Sequence, residues 1–223
     1  MDPLKLLRAL EEFLFEAIAL LFFYPSTLLR IALRPLRTMD YAEAEEAREL
    51  EDRYDDAVSP PLLLLLTILL ANVIALAAHM PQPAAAGPLA KLIFDSPQNL
   101  LLFRSLIFSL LPLVAAITVL RRKHAAISRD ALRPPFFAQC YLTVPFALAL
   151  SIGGIGLQHP GRATSVAGGL LCAMGVAWML WAQTRWFGQK LGYGPLRGFG
   201  TAVWILFQAV LYFLGVAVVI ALS

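Results

Sequence analysis

Long apolar runs at 60–79, 100–120, 135–157, 163–183 and 201–222 alternate with short polar segments along this chain. Each holds about 20 residues or slightly more, which at 1.5 Å rise per residue matches a hydrocarbon core roughly 30 Å thick. The pattern predicts five membrane-spanning helices. The expected fold class is therefore all-α, a polytopic membrane helix bundle formed by residues 60–223.

Before the first span the pattern changes twice. Asp2 and Pro3 suit a helix start, an N-cap side chain followed by a ring whose missing N–H costs nothing there. At 100° per residue Lys5, Arg8, Glu11, Glu12 and Glu16 fall within an arc of about 140°, with Leu6, Leu10, Phe13, Leu14, Ala17 and Leu21 opposite. Glu16 and Pro25 interrupt the apolar run, so residues 1–37 are expected as an interfacial amphipathic segment, with Phe22, Phe23 and Tyr24 dipping inward. The same pattern also suits a helix packed on the bundle from the cytoplasmic side. No small-residue cleavage site follows the charged 6–21 stretch, so a cleaved signal peptide is not expected.

Residues 38–59 read as an acidic cytoplasmic helix. A helix is expected over 40–56, with Asp40 and Glu43 in capping-box spacing and Glu49 placed four residues before Arg53. Nine carboxylates and two arginines lie in that stretch. Such a segment repels anionic lipid and projects into the cytoplasm or packs across the basic loops. Its ordinary role is a solvated face; as a docking surface for a protein partner its candidates are Glu43, Glu45, Glu46, Glu49, Asp52 and Asp55.

Composition supports the membrane placement, with 59% apolar and 15% charged residues and a mean hydropathy of +0.71. The net charge of +3 is too small and scattered to suggest nucleic acid. Its distribution is more useful. Lys5, Arg8, Arg30, Arg34, Arg37, Arg48 and Arg53 precede the first span; Arg121, Arg122, Lys123, Arg129 and Arg133 follow the second; Arg185, Lys190 and Arg197 follow the fourth. The opposite loops hold only Lys91 and Arg162. Retention of positive charge on the cytoplasmic side places the N-terminus inside and the C-terminus outside a cell inner membrane.

Chemistry must come from polar groups in the spans. Arg104 lies about four residues inside the outer end of the second span, where it reads as an anchor reaching the headgroups or as a contact for an anion or lipid headgroup; Asp95 is the nearest acid in sequence. Asn72, Gln139, Thr143 and Gln208 lie deeper and suit hydrogen bonds across helix contacts, while Asn72, Gln139 and Gln208 with Arg104 are the candidate substrate or lipid contacts. His79 reads as interfacial, and Cys140 and Cys172 as buried thiols. No Asp, Glu or Lys falls in the spans, and no phosphate loop, metal-ligand spacing or cofactor motif occurs, so no enzyme activity, metal or cofactor is expected. Gly153, Gly154 and Gly156 facing Gly168, Gly169, Cys172 and Gly175 predict a tight hairpin of the third and fourth spans. Pro112 and Pro145 fall inside spans and are expected to kink their helices. The pairs Pro60-Pro61 and Pro134-Pro135 are each expected to open an outward helix, a hint of a parallel repeat.

The Pro-interrupted apolar and basic segment Phe22-Phe23-Tyr24-Pro25-Ser26-Thr27-Leu28-Leu29-Arg30-Ile31, followed by Arg34-Pro35 and five close-packed spans, resembles the bacterial Yip1-like membrane proteins. It is also similar in layout to small bacterial proteins loosely called permeases. The resemblance implies a polytopic protein that organises membrane or partner proteins, and it carries over no catalytic residue. Two function classes follow: a non-enzymatic scaffold or complex subunit with a protein partner or homo-oligomer, and a small permease or oligomeric channel for a solute or anion. A reporter active only outside the cytoplasm is expected to work when fused after Ser223 and to fail at Arg122 or Lys190. Equal activity at the three positions contradicts this topology.

Overall fold

The computed structural model describes residues 18–20, 22–49, 53–79, 87–94 and 96–222, and every regular element among them is helical. The chain is an all-α polytopic bundle. Its elements are α1 (Ile18–Leu33), α2 (Pro35–Glu45), α3 (Pro60–Ala77), α4 (Pro88–Phe94), α5 (Pro97–Arg122), α6 (Arg129–Gln158), α7 (Arg162–Leu191) and α8 (Pro195–Leu222). Five of these, α3 and α5 to α8, are long and apolar enough to cross a membrane. The two-faced pattern over residues 1–17 lies outside the described residues.

Local chemistry explains the helix ends. Pro60 and Pro61 occupy the first positions of α3 after Ser59, as expected, and the left-handed His79 (φ 51°) closes the helix two residues short of the predicted end. The Ser96 hydroxyl accepts from Asn99 N at the start of α5, and Gly192 (φ 65°) ends α7. The expected opening of the third span at Pro134-Pro135 is corrected. Ser128 Oγ accepts from Ala131 N at 3.2 Å and starts α6 at Arg129, so both prolines lie inside the helix. Their lost N–H groups fall near the polar start, where water serves the carbonyls left free. Pro60 and Pro134 therefore occupy different helical positions, and the hint of a repeat goes with that equivalence. α5 and α6 also continue through Pro112 and Pro145.

α6 is the axis of the packing. It lies against α2, α3, α5 and α7, while α8 leans on α7 and α5. Accordingly α6 buries 44% of its most apolar stretch and α8 only 11%. Tyr141, Leu142 and Val144 of α6 meet Leu63 of α3 and Met179, Trp186 and Phe187 of α7 in one buried cluster. The α6–α7 hairpin is tight, as predicted: a Cβ on Gly168 would stand 2.5 Å from Gly153 O and 2.7 Å from Leu157 N.

α6 and α7 each run 30 residues, about 45 Å against a hydrocarbon core of roughly 30 Å. Only residues 159–161 join them at one end. Their surplus turns therefore emerge at the opposite, basic end, where Arg133 and Lys190 stand.

α1 packs along the bundle. Thr27 and Ile31 are buried, Tyr24 Oη and Thr67 Oγ1 of α3 share a hydrogen bond at 3.0 Å, and Trp178 Nε1 of α7 donates to Ala32 O at 3.3 Å. Its opposite stripe, Ile18, Phe22, Leu29 and Leu33, is exposed and wholly apolar. The helix passes through Pro25 and ends where Pro35 keeps Arg34 out of the helical region (φ −137°, ψ 57°).

Gly168→Ala is expected to cost about 1–3 kcal/mol of bundle stability by forcing the α6 backbone away, because that backbone cannot rotate aside. Gly154→Ala meets nothing within 4 Å and should leave the thermal midpoint unchanged or slightly raised. Equal midpoints for both variants in detergent would contradict the close approach.

Candidate functional site

The acidic segment folds back on itself at the basic end. α2 starts at Pro35 and stops at Glu45, so the single helix expected over 40–56 is corrected to a short helix followed by turns at 46–48 and 53–56. Carboxylates at i, i+4 spacing, as Glu45 and Glu49, oppose helix continuation. Reversal of the chain instead brings Glu45 and Glu46 to arginines.

Glu46 is the centre of that reversal. Its side chain is 1% accessible and takes Arg53 Nη1 at 3.1 Å and Arg133 Nε of α6 at 2.6 Å. The Tyr54 hydroxyl donates to its other oxygen at 3.0 Å, and Arg53 Nη2 also donates to the Glu46 carbonyl at 2.9 Å. Glu45 accepts from Arg48 Nη1 at 2.9 Å and from Tyr54 N at 2.7 Å. Tyr54 sits in the left-handed region (φ 61°), a conformation costing a non-glycine residue of order 1 kcal/mol. Two hydrogen bonds to glutamates and its ring against Tyr41, Phe137 and Tyr141 hold it there.

Further ties reach every neighbouring helix. Tyr141 of α6 donates to Val58 O at 2.6 Å. Lys190 of α7 meets Asp40 at 3.0 Å and Glu43 at 2.6 Å. Asp56 accepts from Tyr41 Oη at 2.6 Å and pairs with Arg30 of α1 at 2.9 Å. The guanidinium of Arg133 also covers the Phe137 ring, 5.1 Å from its centre. Residues 35–49 and 53–58 thus form a cap seated on the emergent turns of α6 and α7.

The hydrogen bond from Tyr41 and the pair with Arg30 hold the Asp56 carboxyl below its ordinary range. Its contribution is complete above the unfolded value of about 3.9 and disappears as pH falls through the lower folded value. Burial, followed by the neighbouring acids, pushes the Tyr41 and Tyr54 hydroxyls far above their ordinary range, so both remain donors at neutral pH.

Of the six partner-docking candidates, Glu43, Glu45 and Glu46 are turned onto the chain's own cations. Glu49 and Asp55 are exposed, and Asp52 lies outside the described residues. Among the candidates in the spans, Arg104 Nη1 donates to Asn72 Oδ1, joining α5 to α3. Gln139 and Gln183 form a reciprocal amide pair between α6 and α7, at 3.1 and 2.5 Å, with both side chains buried. Gln208 is half-buried on α8, and its side chain has no hydrogen bond to a described residue. Thr143, expected to donate between helices, bonds back to Gln139 O at 2.9 Å in its own helix. Of the four, Arg104 and Asn72 hydrogen-bond to each other, and Gln139 pairs with Gln183 instead. A cavity of about 170 Å³ between α3, α5 and α6 is lined by Leu64, Ile68, Phe136 and Cys140, with Ser105 and Ser109 bonded to their own helix. Asp95 lies outside the described residues.

Arg133 and Lys190 belong to the two basic stretches across which the acidic segment was expected to pack, whereas Tyr54, Tyr141 and Gln183 were not candidates from the sequence. The available signal was stoichiometric: nine carboxylates with two local arginines need cations from elsewhere. No known protein family, curated protein or solved structure matches the chain.

Removing Glu46 strands Arg53, which is only 14% accessible. Glu46→Ala is therefore expected to cost about 3–5 kcal/mol of cap stability, against less than about 0.5 kcal/mol for the exposed Glu49→Ala. Denaturant titration of both variants in the same detergent measures the contrast, and similar losses would show that Glu46 is not the anchor.

Proposed function

We propose that the chain is a non-catalytic scaffold or subunit of a membrane complex, with its basic end toward the cytoplasm of a cell inner membrane. The observation that carries this reading is the cap. Ion pairs and hydrogen bonds from α1, α6 and α7 hold residues 35–49 and 53–58 in one arrangement, which makes a preorganised surface rather than a floppy acidic tail. Its outer side offers Glu49 and Asp55, and the neighbouring turn between α5 and α6, with the helix ends beside it, offers the exposed Arg121, Lys123 and Arg129. A partner with complementary charge would be selected and oriented by that mixture. The resemblance in layout to Yip1-like proteins implies the same kind of role.

The polar groups of the spans support this more than a permeation route. Arg104 with Asn72, and Gln139 with Gln183, spend their hydrogen bonds on neighbouring helices. Such pairs contribute roughly 1 kcal/mol each to helix association.

Charge reversal at Glu49 and Asp55 is expected to remove co-purifying protein from the full-length chain and reduce the particle mass, with helicity unchanged. The contrary result is solute or ion flux through liposomes holding the purified protein alone, retained in the charge-reversed chain and lost in Asn72→Leu, Gln139→Leu and Gln208→Leu.

A further inference from the structure

A second feature of the basic end is independent of the cap. Between the end of α5 and the start of α8 lies a cavity of about 320 Å³, lined by Arg122, Tyr193, Arg197, Gly200, Thr201 and Trp204. Arg122 and Arg197 are exposed and, unlike Arg53, Arg133 and Lys190, have no acidic partner among the described residues. Two guanidiniums at one cavity present planar donors suited to the oxygens of a phosphate.

The cavity is also graded in polarity. Thr201 Oγ1 donates to Arg197 O at 2.8 Å, so its hydroxyl is already used and secures the first turns of α8. Trp204 lies seven residues beyond Arg197, about 10 Å further along the helix. Its ring is followed by that of Phe207 at 5.7 Å, and both are exposed on the apolar face of α8. A ligand that satisfies the whole cavity has phosphate at one end and hydrocarbon below it. Open space adjoins Gly200 on the cavity wall, where a Cβ would meet nothing within 4 Å.

We propose that this cavity binds the phosphate of an anionic phospholipid, held between Arg122 and Arg197 with its chains passing Trp204. The site places one lipid at the joint of α5 and α8, the helix with least of its apolar length buried inside the bundle. Bound lipid supplies packing that the protein itself does not.

Native mass spectrometry of the full-length chain tests this with added phosphatidylglycerol and phosphatidylcholine. Phosphatidylglycerol is expected to bind in preference, and the double variant Arg122→Gln/Arg197→Gln to lose about 30-fold in its affinity. Gly200→Leu should lower the affinity for both lipids by filling the space, with helicity retained. Arg34→Gln/Arg185→Gln removes the same charge from exposed positions outside the cavity and should leave binding close to wild type. Equal loss in that control, or equal retention of the two lipids by the wild type, overturns the site in favour of diffuse attraction. Stabilisation of lipid-free protein by millimolar inorganic phosphate, lost in Arg122→Gln/Arg197→Gln and without any phosphatidylglycerol preference, assigns the same arginines to a soluble phosphate and overturns the lipid.

Discussion

A carboxylate buried beside two guanidiniums sets the arrangement of the basic end. Glu46 is nearly inaccessible, and its two oxygens are shared by Arg53, Arg133 and the Tyr54 hydroxyl. An ion held this way gains stability only if each partner is in place, since desolvation otherwise exceeds the Coulombic return. Arg53 requires the chain reversal after α2, and Arg133 requires α6 to begin well before the hydrocarbon. The left-handed Tyr54 follows from the same requirement, because its backbone and hydroxyl close the remaining glutamate oxygens. One interaction thus connects a turn, a helix start and a strained residue.

The bundle beneath meets a different constraint. Lipid offers helices no hydrophobic reason to associate, so contact depends on close packing and hydrogen bonds between helices. Gly153, Gly156 and Gly168 let the α6 and α7 backbones meet, and the Gln139–Gln183 pair fixes their register nearer the basic end. A rigid α6–α7 hairpin then carries Arg133 and Lys190 as fixed posts for the cap. α8 meets α7 closely only near its start, where a Cβ on Gly198 would stand 2.7 Å from Thr184 O, and leaves most of its apolar length exposed.

Span number, the glycine-based hairpin and the Pro60 helix start were legible because membrane thickness, backbone approach and proline geometry act locally or through simple periodicity. The start of α6 was misplaced because the Pro134-Pro135 signal outweighed Ser128, whose capping bond to Ala131 lies six residues before the expected opening. The acidic segment was harder still. Its charges and the Asp40 and Glu43 spacing suggest one helix, solvated or packed across the basic loops, whereas the pairs with Arg133 and Lys190, remote in sequence, decide between the two and break the helix after Glu45. Asn72 and Arg104 were both singled out, yet their pairing depends on the relative rotation of α3 and α5, which apolar runs do not encode. Gln183 lay at the end of a predicted span and was unremarkable until Gln139 faced it.

Hydrogen exchange of the full-length chain in lipid nanodiscs tests most directly whether the cap is seated through Glu46. Tyr54 N donates to Glu45, Ala57 N to Tyr54 O and Val58 N to Thr27, so residues 53–58 should exchange about 100-fold or more slower than in a free peptide. Glu46→Ala should release that protection while residues 135–157 keep theirs. Wild-type exchange over 53–58 at the rate of a free peptide would contradict the account.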